Sequence, residues 1–228
     1  MKTTQVRFFS VEAVGPWGDY GQLLAHGFAL EFPTKDGMYV IARTGPYIPA
    51  ITKPHGLVVT DQGKEALIAC GIMDVEFHDV IIGRVAYSDW QNWDKTCDWP
   101  EQLRDAGEPE SIILGGASCD LSATPGSRLY EVRLSSRIPI RFVRDRVNEF
   151  DEVYQPLVAF VDVKDWDGSE VFTGLPDGRD STSCNRIVIC TKKGRSMLES
   201  IDVGFLRFRP CNELSAKAHG LKVFNPEN

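Results

Sequence analysis

Gly56 to Val80 reads GLVVTDQGKEALIACGIMDVEFHDV, and the fold turns on how this stretch is read. Leu57, Val58 and Val59 form a short apolar run. Thr60 and Asp61 then lead into a segment in which Ala66, Leu67 and Cys70 recur at helical spacing. After Gly71 the pattern changes to an apolar/charged alternation through Val75, Glu76, Phe77 and His78. A short apolar run, a capped periodic segment, a glycine and an alternating run together predict strand–helix–strand. Thr60 or Asp61 is the expected N-cap, since a side-chain oxygen there accepts a free backbone N–H of the first turn. Gly71 is the expected residue just past the helix end, where a left-handed turn costs glycine least.

Working outward, a second stretch has the same form. Shifted by 131 positions without a gap, Val58–His78 overlies Ile189–Arg209, ICTKKGRSMLESIDVGFLRFR. Thr60 falls on Thr191, Gly63 on Gly194, Lys64 on Arg195, Leu67 on Leu198 and Phe77 on Phe208. Two copies are too few for a solenoid. The pattern either recurs because such units look alike or marks a pseudo-symmetric chain, with halves 1–118 and 119–211 inside one composite domain and 212–228 as a surface tail.

Around these units the reading is strand-rich. Val6–Phe9, His26–Phe32, Tyr39–Ala42, Arg128–Leu134, Ile138–Val143, Pro156–Val163 and Val171–Thr173 read as strands. Val80–Tyr87 extends the central unit with a bulge expected at Gly83. Gly15–Gly18 reads as a turn. Arg43–Pro54, with three prolines and one glycine, reads as an ordered loop or sheet-edge segment. The expected fold class is α+β, a mixed or antiparallel sheet with few short helices, at Asp61–Cys70 and Lys193–Glu199.

Composition narrows the function classes. At 228 residues, 43% hydrophobic and 25% charged, the chain can bury a sizeable core. No apolar run approaches the roughly 18 residues of a membrane span, and the N-terminus has no secretory h-region. The six cysteines contain no CxxC pair and no zinc-ligand spacing to histidine, so reduced structural thiols in the cytoplasm are expected, with no metal and no cofactor. A net charge of −7 argues against a nucleic-acid partner and is compatible with a basic protein partner.

No constellation demands catalysis, and no catalytic residue is assigned. GxxxxGK, GxSxG and HExxH are all absent from the chain. Two groupings remain. The first is an aromatic–acidic stretch, Asp89, Trp90, Trp93, Asp94 and Trp99, continued by Glu101, Asp105, Glu108 and Glu110, which reads as a partner-binding surface. Its alternative reading is a small second core in which Trp90 and Trp93, three apart, cap a long loop. The second grouping is a ligand cleft around Arg43, Tyr47 and His55, the setting for an enzyme acting on a small molecule. Arg43 equally reads as a structural tie between carbonyls or to a carboxylate.

RTGPYIPAI (Arg43–Ile51), VEFHDV (Val75–Val80), WxxWD (Trp90–Asp94), EPESIILG (Glu108–Gly115) and the closing ICTKKGRSMLE…LRFRP resemble a broad group of uncharacterised bacterial proteins. That group is similar to immunity proteins of polymorphic toxin systems, including the double-CxxCG immunity family. The chain has no CxxCG, so that family's zinc site is not carried over. The resemblance implies a non-catalytic protein that binds and occludes a cognate toxin.

Overall fold

The computed structural model describes residues 8–15, 17–31, 39–45, 47–72, 74–86, 90–94, 96–97, 111, 128–144, 158–176, 187–201, 204–211 and 222–223. The chain is an α+β protein with strand-rich mixed sheets and few short helices. It divides into two compact units. One comprises Met1–Val11, Leu134–Ser196 and Phe208–Asn228; the other comprises Glu12–Arg133 and Met197–Arg207.

In the second of these units the elements are helix α1 (Gly18–Ala25), strands β2 (Phe28–Glu31), β3 (Tyr39–Thr44), β4 (Ile51–Thr52) and β5 (Val58–Thr60), helix α2 (Asp61–Ala69), and strands β6 (Val75–Ala86) and β7 (Leu129–Leu134). The sheet runs β2-β3-β6-β7-β5-β4. The remaining elements are β1 (Phe8–Ala13), β8 (Arg137–Arg144), β9 (Val158–Val161), β10 (Val171–Pro176), β11 (Val188–Thr191), helix α3 (Lys192–Ile201), β12 (Leu206–Cys211) and β13 (Lys222–Val223); the unit boundaries fall within β1, α3 and β12. Their sheet runs β12-β1-β11-β10-β8-β13, with β9 also on β8.

The central stretch folds as its pattern dictates. The Thr60 hydroxyl accepts from the Gly63 N–H at 3.2 Å, so threonine is the cap. Asp61 is the first helical residue. Its carboxylate accepts from the Tyr130 hydroxyl (2.9 Å) and the Arg128 N–H (3.1 Å). Gly71 has φ 78° and ends the helix in the left-handed conformation. Gly83 is the bulged residue of β6: Ile41 pairs with Ile82, but Ala42 pairs with Arg84.

The second stretch repeats this construction contact by contact. The Thr191 hydroxyl accepts from the Gly194 N–H at 3.1 Å. The backbone N–H of Thr60 donates to the Ala50 carbonyl (3.1 Å), and that of Thr191 to the Glu170 carbonyl (2.9 Å). A Cβ on Gly63 would overlap that Ala50 carbonyl, and one on Gly194 would overlap that of Glu170. Glycine stands at both places because a strand passes directly beneath the helix. Lys64 Nζ lies 4.8 Å from the Phe77 ring and 4.3 Å from that of Tyr130. The Arg195 guanidinium lies 5.3 Å from Phe208 and 5.4 Å from Phe9. Leu67 and Leu198 are both fully buried. The four strands of each copy follow one order, β6-β7-β5-β4 and β12-β1-β11-β10.

Three elements depart from the pattern. Helix α1 begins where a turn is expected. Its start is marked by Trp17 at φ 64°, and its apolar face (Tyr20, Leu23, Leu24, Ala25) is buried. The N-terminal strand, which linear order places in the first half, pairs with β11 of the second copy: Phe8 opposite Thr191 and Phe9 opposite Cys190. Lys222–Val223, expected in a surface tail, pair with Arg144 and Val143 of β8.

Candidate functional site

Two groupings that look separate in sequence meet at one place in the unit that holds α1 and α2. Arg43 and Gly45 stand at the end of β3. Tyr47 follows in the proline-flanked loop, and Trp90 opens a short 3₁₀ turn, Trp90–Asn92, after β6. The Tyr47 ring centroid is 5.6 Å from that of Trp90 and 5.8 Å from that of Phe205. Gly45 has φ 68°, and a Cβ there would lie 2.8 Å from Trp90 Cδ1, so the indole packs directly on the backbone.

Arg43 does not face an open cleft. It is fully buried, and its Nη2 donates to the carbonyls of Leu24 (2.6 Å), Ala25 (3.5 Å) and Tyr47. Leu24 and Ala25 close the last turn of α1, whose final carbonyls lack helical partners and form the negative end of the helix dipole. The guanidinium therefore caps that helix and ties it to the loop. Burial lowers the Arg43 pKa to about 9, so the group remains charged at neutral pH. Its Nε and Nη1, and the buried indole nitrogen of Trp90, have no hydrogen-bond partner among the described residues.

Behind Arg43 lies a histidine that its strand-like alternation did not single out. His26 is fully buried. Its Nδ1 accepts from the Lys53 N–H (2.9 Å), which leaves Nε2 to donate to the Val14 carbonyl (3.0 Å). That pair of bonds specifies the neutral Nε2–H tautomer. Burial lowers its pKa, and the nearby charges of Arg43 and Lys53 act in the same direction. Lys53 is brought down to about 8 by burial, against the opposing pull of Glu12. Its Nζ donates to the His55 carbonyl at 3.2 Å. His55 thus enters through its backbone, and His26 and Lys53 are the side chains that gather behind Arg43.

The tryptophans divide by depth. Trp93, expected at a contact surface, is only 5% exposed. It packs edge-on against Trp17 and Tyr20, with Leu24 in the same cluster. Its ring carries the second core beneath the turn, because the 3₁₀ turn directs it inward. Trp90 is partly buried against the same cluster. The Trp17 indole donates to the Asp94 carbonyl at 2.8 Å. The exposed Asp94 carboxylate accepts from the Thr96 N–H (2.8 Å), the Thr96 hydroxyl (2.7 Å) and the Cys97 thiol (3.1 Å). Those bonds, the Thr96 N–H first among them, hold Asp94 below its ordinary pKa. Asp89, Trp99, Glu101, Asp105, Glu108 and Glu110 lie outside the described residues.

No protein-family model matches the chain, and no curated protein matches it. The site is therefore read from its own chemistry. Among the described residues no three His, Cys, Asp or Glu side chains group as metal ligands, and no helix is long and apolar enough to cross a membrane. What the geometry brings together is an interior with two cations, Arg43 and Lys53, and the neutral imidazole of His26, beside an aromatic group (Tyr47, Trp90, Phe205) and a turn rooted in a tryptophan core. The convergence of Arg43 with Trp90 depends on β3 and β6 being parallel neighbours, with Arg43 paired to Val85.

Proposed function

We propose that this chain is a binding protein that neutralises a cognate bacterial toxin in the cytoplasm by direct occlusion, with no reaction of its own. The observation that carries this reading is the anchoring of the turn from which the acidic stretch departs. Trp17, Tyr20 and Trp93 interlock beneath it, and the Trp17 indole is bonded to the Asp94 carbonyl. A binding segment that starts from an immobilised base loses less entropy on association than one that starts from a mobile base. Glu101, Asp105, Glu108 and Glu110, which follow in the sequence, give that stretch the charge to attract a basic partner surface. Stable occlusion buries on the order of 1,600 Å² and rests on a few anchors. Trp93 serves from beneath, and the contact role passes to the acidic residues and the outer edge of Trp90.

The test is affinity capture of the tagged chain from its host, alongside a variant with Glu101, Asp105, Glu108 and Glu110 all changed to lysine. A single stoichiometric partner, toxic when expressed alone and silenced by co-expression, and retained at least tenfold less by the lysine variant, is the expected result. Capture that is indifferent to the four lysines, or the absence of any such partner, overturns the reading.

A further inference from the structure

We propose that His26 is an acid-operated latch: its neutral imidazole fastens the turn at residues 53–56, between β4 and β5, to the chain just past β1, and protonation of the ring releases that turn. The inference goes beyond toxin occlusion and does not rest on it.

The latch consists of two bonds from one buried ring. Nδ1 accepts from the Lys53 N–H at 2.9 Å, and Nε2 donates to the Val14 carbonyl at 3.0 Å. The ring is held in place from its own backbone, since the His26 N–H donates to the Gln22 carbonyl at 2.7 Å in the last turn of α1. The Phe205 ring stands edge-on to it at 6.4 Å. The turn on the other side is closed on itself. Lys53 Nζ donates to the His55 carbonyl at 3.2 Å, and Pro54 has no N–H to give. Its ends are clamped by the β4–β5 ladder, where Ile51 pairs with Val59 and Thr52 with Val58, and the Thr52 hydroxyl donates to the Val58 carbonyl at 3.3 Å. A turn closed on itself and hinged on a two-residue ladder moves as one piece.

Protonation changes what the ring can offer. Imidazolium carries a hydrogen on both nitrogens and accepts from neither. Nε2 keeps the Val14 carbonyl, but Nδ1 then presents a hydrogen to the Lys53 N–H, and a bond becomes an opposition of two donors. The new charge also falls near two cations, Arg43 from β3 and Lys53 from the turn, while Glu12 of β1 acts on Lys53. Outward movement of the turn removes the facing donor, carries Lys53 away and admits water to Nδ1. Burial first, and the two cations after it, set this event below the ordinary range for histidine.

Nuclear magnetic resonance on the full chain tests the proposal, with ring nitrogen shifts and amide protection followed from pH 7 downward until His26 is protonated. At pH 7 the ring proton is expected on Nε2 alone. As the second proton binds, the protection factor of the Lys53 amide, corrected for intrinsic exchange, falls about tenfold per pH unit with the midpoint of the ring. The amides of α2 fall severalfold less. His26→Asn keeps a side-chain oxygen close to the place of Nδ1 and does not titrate, so its Lys53 amide stays protected over the same range. That variant gives up the Val14 bond, and the titration of the unaltered chain carries the test should it not fold. A proton on Nδ1 at pH 7, Lys53 protection that ignores the titration of the ring, or an equal fall at Lys53 and through α2 overturns the latch.

Discussion

In the copy built on β5, α2 and β6, the cation over the ring pair is Lys64 and its second ring is Tyr130. In the copy built on β11, α3 and β12 they are Arg195 and Phe9. The threonine cap, the glycine under which a strand passes, the fully buried leucine and the strand order are common to both. The copies part at their edges. The first grows from β6, which takes β3 in parallel and then β2. The second grows from β10, which takes β8 in parallel. Proline accounts for the first choice: β4 is two residues long with Pro49 and Pro54 close on either side, and proline cannot donate to a further strand. His26, Arg43 and Trp90 all belong to that first extension or adjoin it. The part common to both copies is a scaffold governed by local packing, and the distinctive polar chemistry sits in the strands and loops beyond it.

The equivalence of the two copies is tested most directly at Gly63 and Gly194. Gly63→Ala and Gly194→Ala each force a methyl into a backbone carbonyl and are expected to cost roughly 3 kcal/mol or more, by urea denaturation. Tolerance of one but not the other would end the equivalence of the copies. Losing the cap hydroxyl comes next. Thr60→Ala should cost about 1 kcal/mol. Thr191→Ala should cost more, because that hydroxyl also meets the Glu170 carboxylate; equal costs would show that this extra contact adds nothing.

Tyr130 is where the ring pairs of the two copies differ. Tyr130→Phe installs the ring type that the second copy has in Phe9 and removes the bond to Asp61. A loss of about 1 kcal/mol is expected, with the Lys64 contact intact. Substituting Lys64 or Arg195 by Ala should remove about 0.5–1 kcal/mol each, by the same measurement.

The smallest effect at neutral pH concerns His26, which has no counterpart in the other copy. Its folded pKa lies below 6.5, chiefly through burial. The unfolded chain therefore takes up the proton first as pH falls. The stabilisation from neutral His26 is complete above about 6.5, drains away as pH drops below that value, and levels off at the lower folded pKa. Amide protection factors, corrected for the intrinsic pH dependence of exchange, should fall in β2 and β3 between pH 7 and pH 5 and stay level in β10 and β11. An equal fall in both sheets would assign the acid sensitivity elsewhere.

Much was legible in the chain because it is local. The Thr60 cap, the Gly71 end, the Gly83 bulge and the 131-residue correspondence each depend on patterns within about ten residues, where propensity and periodicity act. Helix α1 was not legible: Gly15, Pro16, Trp17 and Gly18 read as a turn, and the helix is held by burial against β3 and by a tryptophan core. Nor does His26 announce itself. Its alternation fits a strand, and its role comes from partners at positions 14 and 53.

By itself the sequence determined the α+β class, the two strand–helix–strand copies and their caps, because backbone hydrogen bonding and side-chain periodicity settle those within a short span. Only the tertiary structure decided that β1 completes the second copy, that Trp93 lies inside, and that Arg43 and Trp90 both meet Tyr47. Strand pairing and burial join residues tens to hundreds of positions apart, and no local pattern encodes which of them will meet.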